Sequence, residues 1–245
     1  MSLPSALPIP GLFITGTDTG VGKTLIGGAI CHWFRRRRYR VGVCKIAATG
    51  CVHRREGLVS EDAEFLAHCS GTRHPLDVVC PQRFAEALAP AVAAERAGVS
   101  LDWGAIDRSL KTISADSDVM IVEGVGGVYV PMDNAHTVLD VAEALNLPTV
   151  VVARPGLGTI NHTLLTVFAL RSRGVPVAGV VINNYPPETP GVVEETNPRA
   201  IEKWGKVRVL CLTPNMSGPL APSLPGDIVA AIDNVDWEEI IKGEA

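Results

Sequence analysis

Six short runs along the chain are apolar at nearly every position rather than at alternate ones: LFIT at 12–15, VGVCKI at 41–46, VMIV at 119–122, TVVVA at 149–153, VAGVVI at 177–182 and VRVLCL at 207–212. A strand with one solvated face would alternate, so continuous runs fit strands covered on both faces, as in a parallel sheet. The intervals leave room for crossover helices, and the pattern predicts helices over 23–38, 61–68, 101–115, 137–145, 159–173 and 197–204. The last two stop beside Gly174 and Gly205, as helix ends usually do. The expectation is an α/β doubly wound fold with a mostly parallel sheet flanked by helices on both faces. Two proline-rich segments, YPPETPG from Tyr185 and PLAPSLPG from Pro219, read as surface loops because regular patterning resumes after each.

Bulk properties narrow this picture. With 245 residues and 47% hydrophobic content the chain can bury one sizeable core, which predicts a single domain over 11–245 behind an N-terminal extension, 1–10, to which no role attaches. A net charge of -4 offers no general attraction to nucleic acid or an anionic membrane, so small molecules are the expected partners. The six cysteines form no CxxC pair and read as reduced thiols of a cytoplasmic protein. The first ten residues lack the basic and apolar regions of a signal or transit peptide. No apolar run approaches the roughly 18 residues needed to span a bilayer. The run RRRRYR, 35–40, closes the first predicted helix, where cations favour the dipole and a solvated face is the ordinary reading.

The candidate chemistry begins in GTDTGVGKT, 16–24, where Gly16, Gly22, Lys23 and Thr24 meet the pattern G-x-x-x-x-G-K-[ST] between a predicted strand and a predicted helix, which makes the expected fold P-loop NTPase-like. Glycines let the loop backbone fold around phosphates, the helix N-terminus adds partial positive charge, Lys23 neutralises the outer phosphates and Thr24 can ligate Mg²⁺. Glu123 ends a buried run and precedes Gly124, Gly126 and Gly127, which allow a ligand close to the backbone; it is a second candidate for Mg²⁺. Lys45 closes the second run in KIAATG, ahead of Thr49. A lysine there is also accounted for as a snorkelling side chain. Asp62 falls in the first turn of a helix capped by Ser60, where the dipole alone would favour an acid.

Four stretches, GTDTGVGKT, KIAATG, VEGVGG and GLGTINHTLLT (156–166), together resemble dethiobiotin synthetase, the biotin-pathway ligase that closes a ureido ring on a diamine with CO2 and ATP. GVVINN and LTPN add weaker support, and the match runs from residue 11 to about Pro214. The resemblance implies that Asp18, Thr19, Gly20, Val21, Gly22, Lys23 and Thr24 hold ATP, with Thr24, Asp62 and Glu123 as the Mg²⁺ ligands. It places Asn183 at the adenine and Pro214 in a loop near the base. Lys23 and Lys45 would be the catalytic cations, and Thr17, Lys45, Thr49 and Gly126 would contact 7,8-diaminononanoate, its carbamate or the transferring phosphate. Thr159, Ile160 and Asn161 would receive the substrate's tail carboxylate from the other subunit of a homodimer. The chain departs from the family at Ile46, where proline is common, and at Val125, where alanine is; some members also carry Glu at the position of Gly20.

Two rivals share the loop. A nucleotide-switched positioning ATPase carries an extra lysine where this chain has Asp18, and the acidic VDWEEIIKGEA tail lacks a basic amphipathic membrane helix. A cobalamin-type amidoligase would bring a glutaminase domain for which the length leaves no space.

Overall fold

A computed structural model describes residues 3–55, 57–186, 188–216 and 223–242. In chain order the elements are β1 (Gly11–Gly16), α1 (Lys23–Arg36), β2 (Val41–Lys45), β3 (Val52–Arg54), β4 (Gly57–Val59), α2 (Glu61–Ser70), α3 (Leu76–Val79), α4 (Pro90–Arg96) and α5 (Trp103–Ala115). They continue with β5 (Val119–Gly127), α6 (Val138–Leu145), β6 (Thr149–Ala153), α7 (Thr159–Ser172), β7 (Val177–Tyr185), α8 (Val192–Gly205), β8 (Val209–Pro214), α9 (Gly226–Asp233) and α10 (Trp237–Ile241). Six strands form one parallel sheet in the order β2-β5-β1-β6-β7-β8, and β3 and β4 make a separate antiparallel hairpin.

Alternation along each buried strand divides its side chains between two cores. Leu12, Ile14, Val41, Val43, Val119 and Ile121 join α1, α2, α9 and α10 on one face, while Phe13, Cys44, Met120 and Val122 join α5, α6, α7 and α8 on the other. This two-sided burial is the physical reason the runs are apolar throughout. From β1 the chain crosses to β2 at one edge, and after β5 it passes to β6 on the other side of β1. The crevice beyond the carboxyl end of β1 is therefore where such a sheet receives ligands.

Each sequence-predicted strand and helix has a counterpart, with shifted ends. The predicted start at 197 for α8 is five residues late: Gly191 caps the helix with its N–H bonded to Glu194, and Pro198 lies inside the helix at the expense of one backbone hydrogen bond. Pro214, expected in a loop, is the last residue of β8 and pairs with Tyr185; a strand's terminal residue tolerates a missing N–H. The β3–β4 hairpin and the helices α3, α4, α9 and α10 were not predicted from the pattern. Of PLAPSLPG, residues 219–222 lie outside the described residues.

The N-terminal segment acquires a structural place. Leu3, Leu7 and Ile9 pack on the core under α5, and Met120 N–H donates to Pro10 O at 3.0 Å, lengthening the β1–β5 ladder by one residue. The arginine run is absorbed locally: Arg35 donates to His68 O, Arg36 pairs with Asp233 at 3.0 Å, Arg37 lies over Trp33 and Arg40 pairs with Asp118.

Candidate active site

β1 runs straight into the phosphate loop. Thr17 N–H donates to Val152 O at 2.9 Å, and the backbone then turns through left-handed conformations at Gly20 (φ 76°) and Gly22 (φ 95°) before α1 begins at Lys23. At Gly22 a Cβ would stand 2.0 Å from Asn183 Nδ2, so glycine is required for space as well as conformation. Lys23 is buried, and its Nζ donates to Asp18 O at 3.1 Å. Among the described residues no carboxylate forms a salt bridge with it. Burial lowers its pKa from the ordinary lysine value, the Lys45 charge adds to this, and Glu123 only partly opposes it. The loop thus presents a largely desolvated cation with no direct ion pair among the described residues.

Lys45, Asp62 and Glu123 meet beside it. Parallel pairing sets Lys45 directly opposite Glu123, and Ile14 opposite the same residue on the other side, so Glu123 stands at the mouth of the loop. Lys45 Nζ lies 2.6 Å from Glu123 Oε1 and 2.9 Å from Asp62 Oδ2. Thr24 Oγ1 donates to Glu123 Oε1 at 2.9 Å. Burial would lower the Lys45 pKa, but the Glu123 and Asp62 carboxylates more than reverse this and raise it, so the lysine is held charged. Glu123 is fully buried, and its Oε2 has no hydrogen-bond partner among the described residues.

That orphaned oxygen tests the expected metal. Hydroxyl and carboxylate oxygens from Thr24, Asp62 and Glu123 are the hard donors Mg²⁺ prefers. Among the described residues no group of three or more His, Cys, Asp or Glu converges. Two carboxylates and one hydroxyl match the sparse protein ligation of an ion also held by phosphates and water. The set fits.

These groups open on one cavity of about 600 Å³. Of the predicted residues its wall contains Thr19, Gly20, Gly22, Lys23, Thr24, Lys45, Thr49, Asp62, Glu123, Gly126 and Asn183. Thr17, Asp18, Val21 and Pro214 flank it without lining it, and Thr159, Ile160 and Asn161 are on α7, away from it. Asn183 Nδ2 donates to Val21 O at 2.9 Å, and Thr213 Oγ1 lies 2.7 Å from Asn183 Oδ1. Of the two departures, Ile46 is buried in the core with its N–H on Glu123 O, and Val125 faces the cavity.

Sequence reasoning missed the wall made by Ala87, Leu88 and Ala89. That loop is pinned by long-range backbone bonds, Cys51 N–H to Phe84 O at 2.9 Å and Gly50 N–H to Glu86 O at 3.2 Å. Small apolar residues carry no chemical signature; the local hint was Pro90, which starts α4.

A parallel sheet with this loop at the end of β1, its lysine and its threonine aimed into a cavity at the strand ends, defines a P-loop NTPase. A family model described as an AAA domain matches residues 10–221. The chain is similar to the ATP-dependent dethiobiotin synthetase BioD of Thermodesulfovibrio yellowstonii, 35% identical over 95% of this chain and 98% of that protein. It is likewise similar to those of Haloferax mediterranei, 37% identical over 94% and 93%, and Anaeromyxobacter dehalogenans, 45% identical over 73% and 78%. The chain belongs to the dethiobiotin synthetase family, ATP-dependent ligases that form a C–N bond. Among solved structures it resembles the MinC:MinD cell division complex of Aquifex aeolicus (TM-score 0.60, 16% identity, 96% of this chain and 97% of that one). Pyrococcus furiosus MinD gives a TM-score of 0.55 at 15% identity, covering 97% and 100%. At such identity the likeness concerns the fold alone. No helix among the described residues is long and apolar enough to cross a membrane.

Proposed function

We propose that this chain makes dethiobiotin from 7,8-diaminononanoate, CO2 and ATP, and that the residues around the cavity divide the work as the family resemblance implies. The carrying observation is that Lys45, Asp62, Glu123 and Thr24 meet in one hydrogen-bonded cluster at the mouth of the phosphate loop. One amine of the diamine captures CO2, forming an N–C bond and releasing a proton, to give a carbamate. A carbamate oxygen attacks the γ-phosphorus of ATP, and ADP leaves. The second amine attacks the carbonyl carbon of the resulting carbamic-phosphoric anhydride, losing a proton, and phosphate departs as the ring closes. Such a sequence needs charge and positioning rather than a protein nucleophile.

Lys23 and the loop amides grip the phosphates of ATP, and Lys45 stands where charge moves onto the transferring group. Mg²⁺, when bound by Thr24, Asp62 and Glu123, supplies neutralisation of phosphate charge. Thr17, Thr49 and Gly126 border the diamine, while Asn183 and Pro214 lie toward the base.

The tail-carboxylate site requires a second copy. On α7, Asn161, Leu165 and Phe168 follow the i, i+4, i+7 spacing of one helical stripe, and Leu165 and Phe168 are 60% and 73% exposed. This stripe, with Leu157 at 85% exposure, forms the homodimer contact and carries the start of α7 to the partner's cavity. There the start of α7 favours a carboxylate through the Ile160 and Asn161 amides, beside Thr159, whose own N–H donates to Gly156 O at 3.2 Å. We assign the molecule to the cytoplasm as one domain over 11–245, acting without nucleic acid or membrane.

The deciding experiment incubates the protein with MgATP, bicarbonate and 7,8-diaminononanoate and follows products by mass spectrometry. Dethiobiotin and ADP in equal amounts are expected. Their absence, with ATP hydrolysis that responds to DNA or lipid instead, would replace this reading with the switch ATPase.

A further inference from the structure

Thr213 plays no part in the chemistry above, yet it is fully buried and bonded to Asn183, itself only 1% exposed. The direction of this chain of bonds follows from its end. Val21 O can only accept, so Asn183 must turn its NH2 toward the loop and its oxygen toward Thr213, whose hydroxyl therefore donates. A hydrogen-bonded strut thus runs from β8 through β7 to the crown of the phosphate loop.

Its point of attachment is the peptide between Val21 and Gly22. A trans peptide is planar, with C=O and N–H on opposite sides, and no peptide bond among the described residues is cis. Holding the Val21 oxygen against Asn183 aims the Gly22 N–H the opposite way. Gly22, on one side of that peptide, is a left-handed glycine, and Gly20, just before Val21, is another, so the backbone here offers little resistance to rotation of the peptide. The close fit at Gly22, where the Asn183 amide occupies the space a Cβ would need, completes the brace.

We infer that Asn183, oriented by Thr213, is a positioning residue for the phosphate loop: it sets the Val21–Gly22 peptide and so presents the loop amides to the triphosphate, independently of any contact with the base. The inference rests on the reading of the loop as a triphosphate site. A base-free ligand separates the two roles. Binding of magnesium tripolyphosphate and of MgATP is measured by titration calorimetry for the wild type, Asn183→Ala, Thr213→Val, Thr213→Ser and the double variant Asn183→Ala with Thr213→Val.

One lost hydrogen bond should weaken tripolyphosphate binding about fivefold in Asn183→Ala and in Thr213→Val, and Thr213→Ser should restore it. Because Thr213 acts through Asn183, the double variant should bind no more weakly than Asn183→Ala alone. Unchanged tripolyphosphate binding in Thr213→Val and Asn183→Ala, with only ATP weakened, would make Asn183 a base contact and overturn the strut. Additive losses in the double variant would overturn it too. A wild type that binds neither ligand would remove the triphosphate reading itself, a failure distinct from the other two.

Discussion

At the scale of single residues, two buried lysines that feel the same carboxylates behave differently. Lys45 is compensated by Glu123 and Asp62 and is held charged, whereas among the described residues Lys23 is hydrogen-bonded to a backbone carbonyl and forms no ion pair. Lys45→Ala should therefore abolish dethiobiotin formation while leaving the fold intact; near-normal turnover would remove Lys45 from the reaction. Lys23 carries a cost in the ligand-free state. Its folded pKa lies below the ordinary value, so the penalty is full below that lowered value and is relieved as pH rises through it toward 10.5. Lys23→Met keeps the aliphatic stem and removes the charge. It should measurably raise the ligand-free Tm at pH 7, while calorimetry finds ATP binding lost. A lower Tm would show that the loop lysine is not a destabilising charge. Lys23 and Thr24 were legible in the sequence because motif and context coincide; Glu123 needed only the glycines behind it. Asp62 was ambiguous, since an acid in a first turn satisfies the dipole equally well, and only its 2.9 Å approach to Lys45 separates the readings.

At the scale of elements, buried strands were the most legible because a short run apolar at every position fits little besides a strand covered on both faces. The hairpin β3–β4 was opaque for the opposite reason: Val52, His53 and Arg54 are exposed, and their pairing leaves no hydrophobic period. The loop from β5 to α6 is equally silent in sequence, yet its Val130 lines the cavity. Asp133 organises that loop, accepting from Trp103 Nε1 at 2.6 Å and from the backbone N–H groups of Ala135 and His136 at 2.8 and 2.7 Å. Burial would raise the Asp133 pKa, but these bonds outweigh it and bring it down to about 2 from 3.8. A depressed carboxylate contributes stability that is present above its unfolded value and lost as pH falls through the folded one. The shift corresponds to about 2 kcal/mol. The urea midpoint of the wild type should fall between pH 4 and pH 2, and Asp133→Asn should show a lower midpoint at pH 7 with a shallower acid loss. Equal acid slopes in the two proteins would place that sensitivity elsewhere.

At the scale of the whole molecule, the outer stripe of α7 is where the proposed contact between two copies would form. Leu157, Leu165 and Phe168 are 85%, 60% and 73% exposed, an apolar patch of the kind that marks an interface. Asn161 lies on the same stripe, which joins the proposed contact between copies to the proposed substrate-tail site. The phosphate loop, Lys45, Asp62 and Glu123 all belong to one chain, so the ATP grip should not require a partner. Phe168→Glu buries a charge at the contact and should yield a monomer by light scattering after size exclusion. ATP affinity measured by calorimetry should stay within about twofold of wild type, because no group touching the phosphates moves. The KM for 7,8-diaminononanoate should rise about tenfold or more, since the amides at the start of α7 no longer reach its carboxylate. Asn161→Ala should show a smaller rise in the same constant while remaining dimeric. A Phe168→Glu protein that stays dimeric would place the interface on another face, and a monomer with unchanged KM would return the tail carboxylate to residues of the same chain.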